Sequence, residues 1–196
     1  RNASDYSAAL VARHTHSGTL HIIGDTEGIL SADPDYVPGA ASISRLSWQD
    51  ALLLARAGSG VLHPRTVEPL IDAGISLRLD DLNQTGGTLI GGTCDQRRQS
   101  LIATWRPPLQ GILSKAQALP QPLSAWQKLS PNNGVVSVFL ADHLDASVCH
   151  RNLSALIANS SIPVARSRLF RAVKVLAFSV APDDLERFTR LVHSAL

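Results

Sequence analysis

Apolar positions recur with two periods along this chain, and the elements they predict fall into an N-terminal and a C-terminal group. Ala8, Ala9, Leu10, Val11 and Ala12 follow Ser4 and Asp5 as a run of helix formers, so Ser4 reads as the cap of a helix beginning near Asp5. Thr19 to Ile23 reads as a buried strand that exits through Gly24-Asp25, Gly28 and Asp33-Pro34. Ser47-Trp48-Gln49-Asp50 is close to a capping box, with aspartate where glutamate is usual. It opens a helix through Leu52, Leu53, Leu54 and Ala55 that Gly58-Ser59-Gly60 ends. Pro64 suits the first turn of a helix because its missing N–H would be unpaired there, and Gly74 can close that helix in a left-handed conformation. Ile75, Leu77 and Leu79 then alternate with Ser76 and Arg78, the period of a half-buried strand.

The C-terminal group is clearest from Gly134. Val135–Leu140 predicts a strand, Ser147–Ala158 a helix with Val148, Leu153, Leu156 and Ile157 inward, and Ile162–Leu169 with Ala172–Val180 a pair of strands. Pro182-Asp183-Asp184 opens a last helix on which Leu185, Phe188, Leu191, Val192 and Leu196 keep helical spacing. The order is βαββα, which many ferredoxin-like proteins share. Between the groups, Gln99–Trp105 reads as a strand, Pro107-Pro108 as its break and Ile112–Leu119 as a short helix.

Composition narrows the function classes. With 196 residues and 44% hydrophobic content, the chain can bury an ordinary core in one domain or two small ones. The net charge is +2, and its basic residues are scattered without interleaved aromatics, which argues against a nucleic-acid surface. No apolar run approaches the ~20 residues of a membrane span, and no signal-peptide pattern opens the chain, so a cytoplasmic location is expected. Cys94 and Cys149 are too few for a disulfide framework. His14, His16 and His21 share no spacing with a carboxylate or cysteine and read as a chance cluster, not a metal site. The four Asn-x-Ser/Thr sequons matter only in a secreted protein. The absence of methionine, including at position 1, predicts a fragment or a sequence that lacks residues of the natural chain.

Three ordered stretches carry a family resemblance. Val61-Leu62-His63-Pro64-Arg65-Thr66, followed by a helix, a strand and Gly87-Thr88-Leu89-Ile90, resembles the end of the kinase domain of aspartate kinases. Arg1-Asn2-Ala3-Ser4-Asp5-Tyr6-Ser7-Ala8-Ala9 is similar to that family's Arg-Gly-Gly-Ser-Asp-Tyr-Ser-Ala-Ala, and Asp25 to Pro38 to its Thr-Asp-Val-x-Gly-Val-Tyr-x-x-Asp-Pro-Arg-x-Val-Pro. The resemblance implies an α/β fold in two parts: residues 1–92 as the C-terminal part of an amino-acid-kinase-type sheet sandwich, and residues 93–196 as an ACT-like regulatory region, clearest as βαββα at 134–196. It implies phosphorylation of the β-carboxylate of L-aspartate by ATP with Mg2+, the first step of lysine, threonine and methionine biosynthesis. One of those amino acids is then the expected effector, and a homo-oligomer the expected assembly.

Residue by residue, the resemblance assigns aspartate binding to Arg1 and Ser4, the essential acidic role to Asp5, and the nucleotide edge to Gly24, Asp25, Leu30, Asp35, Gly60 and Val61. On the residues alone, Ser4 with Asp5 reads first as a capped surface helix, and it is the resemblance that turns this reading toward a binding role. The nucleotide half departs from the family: Gly24 stands for Thr, Leu30 for Tyr, Asp35 for Arg and Gly60 for Lys, each removing a hydrogen bond, an aromatic contact or a positive charge. The family's opening Lys-Phe-Gly-Gly segment is not in this sequence. A kinase half fused to homoserine dehydrogenase or diaminopimelate decarboxylase accommodates these departures. So does a degenerate kinase-like module kept for amino-acid sensing or assembly, and the blandest reading is an α/β domain without a ligand.

Overall fold

The computed structural model describes residues 3–25, 27–83, 86–91, 99–105 and 132–196. The expected helix Ile112–Leu119 lies outside them, as do Arg1 and Cys94. The chain divides into two compact units, Arg1–Ser31 with Ala41–Arg97, and Ala32–Ala40 with Arg98–Leu196. No described helix is long and apolar enough to cross a membrane.

The first unit holds α1 (Ala3–His14), β1 (Thr19–Gly24), β2 (Ile29–Leu30), β3 (Ser42–Ile43), β4 (Arg45–Leu46), α2 (Trp48–Ala57), α3 (Pro64–Ala73), β5 (Ser76–Asp81) and β6 (Thr88–Ile90). One sheet runs β1-β5-β6-β4, with β1 parallel to β5, β5 antiparallel to β6 and β6 parallel to β4; β2 and β3 form a separate antiparallel pair. The capping signals act as expected. Ser47 Oγ accepts from Asp50 N at 3.1 Å, and Gly58 closes α2 in the left-handed region. Pro64 starts α3 and Gly74, at φ 66°, ends it. Leu77 and Leu79 face inward, as their alternation requires. Two expectations need correction. The helix begins at Ala3, and Ser4 Oγ donates to Asp5 Oδ1 at 3.2 Å instead of capping a backbone amide. β1 is not a buried strand: among the described residues only β5 pairs with it, and Thr19, His21 and Ile23 are exposed at the sheet edge.

The second unit holds β7 (Leu101–Trp105), β8 (Gly134–Phe139), α4 (Ala146–Asn159), β9 (Val164–Phe170), β10 (Val175–Val180) and α5 (Leu185–His193). Its sheet runs β7-β8-β10-β9 and is antiparallel throughout. The expected βαββα order is present from β8 to α5, with β7 added on the far side of β8. Ile102, Val136, Val138, Leu176, Phe178 and Val180 pack with Leu153 of α4 and with Leu185, Phe188 and Val192 of α5. The Phe178 and Phe188 rings lie 5.2 Å apart at 57°, a tilted arrangement their quadrupoles favour. Val148 and Leu196 are exposed, against expectation. Val148 lies in the first turn of α4, and Leu196 falls beyond the end of α5, where helical spacing no longer directs it inward.

Residues Ala32–Ala40 form a closed excursion that belongs to the second unit. Its base is pinched by two bonds within the first unit: Ser31 N donates to Ala41 O at 2.8 Å, and Ala41 N to Ser31 Oγ at 2.9 Å. Asp33 O accepts from Tyr36 N and Val37 N, and Asp33 Oδ1 from Asp35 N, which coils the loop into a helical turn. Ala32, Tyr36 and Val37 enter the core described above, and Arg190 Nε of α5 donates to Tyr36 O at 2.6 Å. An apolar triplet on a compact loop buries its area only where a second surface meets it, so this excursion is part of the second unit's core.

Candidate active site

In the first unit the parallel pair sets the geometry. The register aligns Gly24 with Asp81, so β1 and β5 end level with each other. After α1 the chain reverses through His16, at φ 53°, and Gly18, and α1 packs on β1. A helix of this length spans about 18 Å and the strand about 20 Å, so the first turn of α1 returns to the carboxyl end of β1. The same argument applies to α3, which turns through Gly74 directly into β5; its N-terminus and the preceding Gly58–His63 loop lie at the carboxyl end of that strand. Ser4, Asp5, Gly24, Asp25, Gly60 and Val61 therefore gather at one end of the sheet, where ligands of open α/β sheets bind.

Helix starts at this end leave backbone amides unpaired within the helix, which suits them to an anion. Gly60 is exposed at φ 78°, a conformation that favours glycine, and Val61 beside it is exposed as well. Gly24 and Asp25 are exposed where β1 leaves the sheet, and Leu30 is half-buried in β2. Asp35 is exposed and belongs to the second unit. Arg1 lies outside the described residues. Among the described residues no group of three or more His, Cys, Asp or Glu is placed to hold a metal ion.

Sequence reasoning missed two features here. His63 is the N-cap of α3: its Nδ1 accepts from Arg65 N at 3.1 Å, which fixes the proton of the neutral ring on Nε2. The signal was available, because a proline at the first helical position makes the residue before it the cap. The second is the support of the glycine loop at Glu27, Gly28 and Ile29, built from Arg78, Asp80, Gly86, Gly87 and Thr88. Asp80 breaks the alternation of β5 by being buried at a position next to Leu79, also buried.

Two groups in the second unit have shifted ionisation. Backbone amides of Val148 and Ser147 donate to Asp145, the N-cap of α4, and hold its carboxyl below the usual range. Burial, then the nearby Asp145 carboxylate, pushes the Cys149 thiol up, away from the reactive thiolate.

Residues 1–79 match the model of the amino acid kinase family. The chain is 39% identical over 98 residues to the bifunctional aspartokinase/homoserine dehydrogenase of Buchnera aphidicola, covering 49% of this chain and 12% of that protein. It is 39% identical over 92 residues to the aspartokinase of Rickettsia felis, covering 46% of this chain and 23% of the relative. The chain thus aligns with less than a quarter of either relative. In fold it is similar to E. coli aspartokinase III bound to aspartate and ADP, with TM-score 0.72 at 20% identity over all of this chain and 56% of that one. The lysine and aspartate complex of the same enzyme gives a TM-score of 0.61 at 22% identity, over all of this chain and 56% of that one.

Proposed function

We propose that this chain, an aspartokinase-type fragment of the amino acid kinase family over residues 1–79, supplies half the active-site cleft of an aspartate kinase. Residues 1–92 are the catalytic part and 93–196 an ACT-like regulatory region. The reaction moves the γ-phosphoryl group of MgATP to the β-carboxylate of L-aspartate. Such a transfer asks little covalent chemistry of the protein. It requires two anions held in line, with cations and backbone amides absorbing their charge.

The observation that carries this reading is the gathering of the α1 start, the β1 exit and the Gly58–His63 loop at one end of the parallel pair. In it, Arg1 and Ser4 bind aspartate, Asp5 orients the acceptor end, and Gly24, Asp25, Leu30, Gly60 and Val61 line the nucleotide. The test is a hydroxamate assay for aspartyl phosphate, using the natural full-length protein that contains this segment. No product from ATP and aspartate would refute catalysis. The second unit, in the same reading, takes lysine, threonine or methionine as effector. Self-association uses the outer edge of β9, where Ala165 to Arg168 are exposed. Light scattering that gives a monomer at micromolar concentration, with and without amino acids, removes that part.

A second reading is favoured by one set of observations: Gly24, Leu30, Asp35 and Gly60 all depart from the family pattern, and Asp35 sits on a loop committed to the second unit's core. The chain is then a degenerate, amino-acid-sensing module in the cytoplasm. Restoring Leu30→Tyr, Asp35→Arg and Gly60→Lys together separates the two. Kinase activity that stays at zero in the full-length triple variant supports the sensor, and activity that rises supports the enzyme.

A further inference from the structure

The far end of the glycine loop, at Glu27, Gly28 and Ile29, is held by groups that the proposed function does not use. Arg78 and Asp80 share one face of β5, and Arg78 Nε meets Asp80 Oδ2 at 2.7 Å. The guanidinium also donates through NH2 to Gly86 O at 3.0 Å, tying the strand to the turn that leads into β6. Asp80 is 4% exposed, and its second oxygen, Oδ1, has no hydrogen-bond partner among the described residues. That oxygen lies against Gly87, at φ 95°, where a Cβ would collide with it and lie 2.7 Å from Leu79 O. A buried acceptor left unpaired is costly, so the carboxylate is an expensive way to support a turn.

What the turn does next gives that cost a reason. Gly87 N donates to Glu27 O at 3.0 Å. Thr88 Oγ1 accepts from Ile29 N at 2.8 Å and donates to Ile43 O at 2.6 Å, wholly buried. Gly28, at φ 97°, leaves no room for a side chain, since a Cβ there would stand 2.6 Å from Thr88 Oγ1. The far end of the glycine loop is thus fixed on both sides of Gly28, at Glu27 O and Ile29 N. Both anchors come from two consecutive residues, Gly87 and Thr88, and the first of these is set by the Arg78–Asp80 pair.

We propose that Arg78, Asp80 and Thr88 are positioning residues for the nucleotide: they act through Gly86, Gly87 and the loop Asp25–Gly28 and do not touch the ligand. This rests on the reading that the loop borders a nucleotide. Thr88→Val keeps the shape and removes both hydroxyl bonds, whereas Thr88→Ser keeps the hydroxyl and serves as the rescue. Loss of one bond at the loop is expected to weaken ADP binding about tenfold in calorimetry on the full chain, the equivalent of about 1.4 kcal/mol. Aspartate affinity should stay within about twofold, since the α1 start is anchored elsewhere. Amide hydrogen exchange in residues 25–30, measured without nucleotide, should rise about tenfold in Thr88→Val and return in Thr88→Ser.

The outcomes separate the two levels. Faster exchange confined to 25–30 together with weaker ADP binding supports the proposal. Unchanged exchange overturns it, whatever the nucleotide does, as does an equal loss of ADP and aspartate affinity. Faster exchange in a chain whose wild type binds no ADP supports the brace and sinks the nucleotide reading itself.

Discussion

Truncating Tyr36 to alanine tests whether a loop that the sequence assigns to the nucleotide edge is part of the second unit's core. The side chain is 5% exposed and packs with the β-sheet and α5 residues of that unit. Removing a buried aromatic from a core costs about 3–5 kcal/mol, the lost transfer free energy plus the cavity left behind. Arg190 bonds to the Tyr36 carbonyl, which survives the substitution, so that bond is not part of the loss. Tyr36→Phe keeps the ring and should lose about 1 kcal/mol or less, the worth of one hydroxyl hydrogen bond. Because the chain has two units, an unfolding free energy of the whole chain does not say which unit lost stability. Hydrogen exchange by mass spectrometry resolves the units and is the better assay. Protection in β8, β10 and α5 should fall by two orders of magnitude or more, as about 3 kcal/mol requires, while α2 and α3 keep theirs. If the protection lost lies in α2 and α3, or if α5 is unaffected, the assignment of residues 32–40 is refuted.

Three further substitutions probe local claims. Gly91→Ala should lose at least about 1–3 kcal/mol in thermal unfolding, because Gly91 sits at φ 101° and a Cβ would stand 2.6 Å from Trp48 Nε1. His63→Ala should cost about 1 kcal/mol through the lost α3 cap, and His63→Asn should recover most of it in the same denaturant titration. For Asp145, backbone hydrogen bonds lower the folded-state pKa below the unfolded value, so the group's stabilisation is full above the ordinary carboxylate range. That stabilisation is lost as pH falls through the folded pKa. Asp145→Asn should therefore be less stable than wild type at neutral pH and converge with it in acid, and a gap that persists at pH 2 contradicts the capping account.

How much of this was readable from residues depends on whether the cause was local. Ser47, Gly58, Pro64 and Gly74 delimit α2 and α3 by bonds made within a turn or two, and sequence spacing reports such bonds directly. The βαββα order was legible because each element carries its own period. Burial of β1 was not, since an apolar strand looks the same at a sheet's edge and at its centre. The brace under the glycine loop was missed for a related reason. Thr88 meets residues 59 and 45 positions away in sequence, and no local pattern encodes such partners. Ser4, Asp5, Gly24, Asp25, Gly60 and Val61 are candidates by resemblance alone. Their common end of the sheet follows from two helix-to-strand reversals, at Gly18 and Gly74, that the sequence does display.

The pinched excursion at Ser31 and Ala41 bears on how such a chain can be cut. Composition invites a break near residue 92. One product would then carry Ala32, Tyr36 and Val37 without the surface that buries them, and the other would have a hole where those three side chains belong. The first would be prone to stick and the second to soften, and mixing them would return the loop to its socket. A split at 92 therefore makes two obligate partners, so domain swaps between related chains should move residues 32–40 together with the C-terminal part.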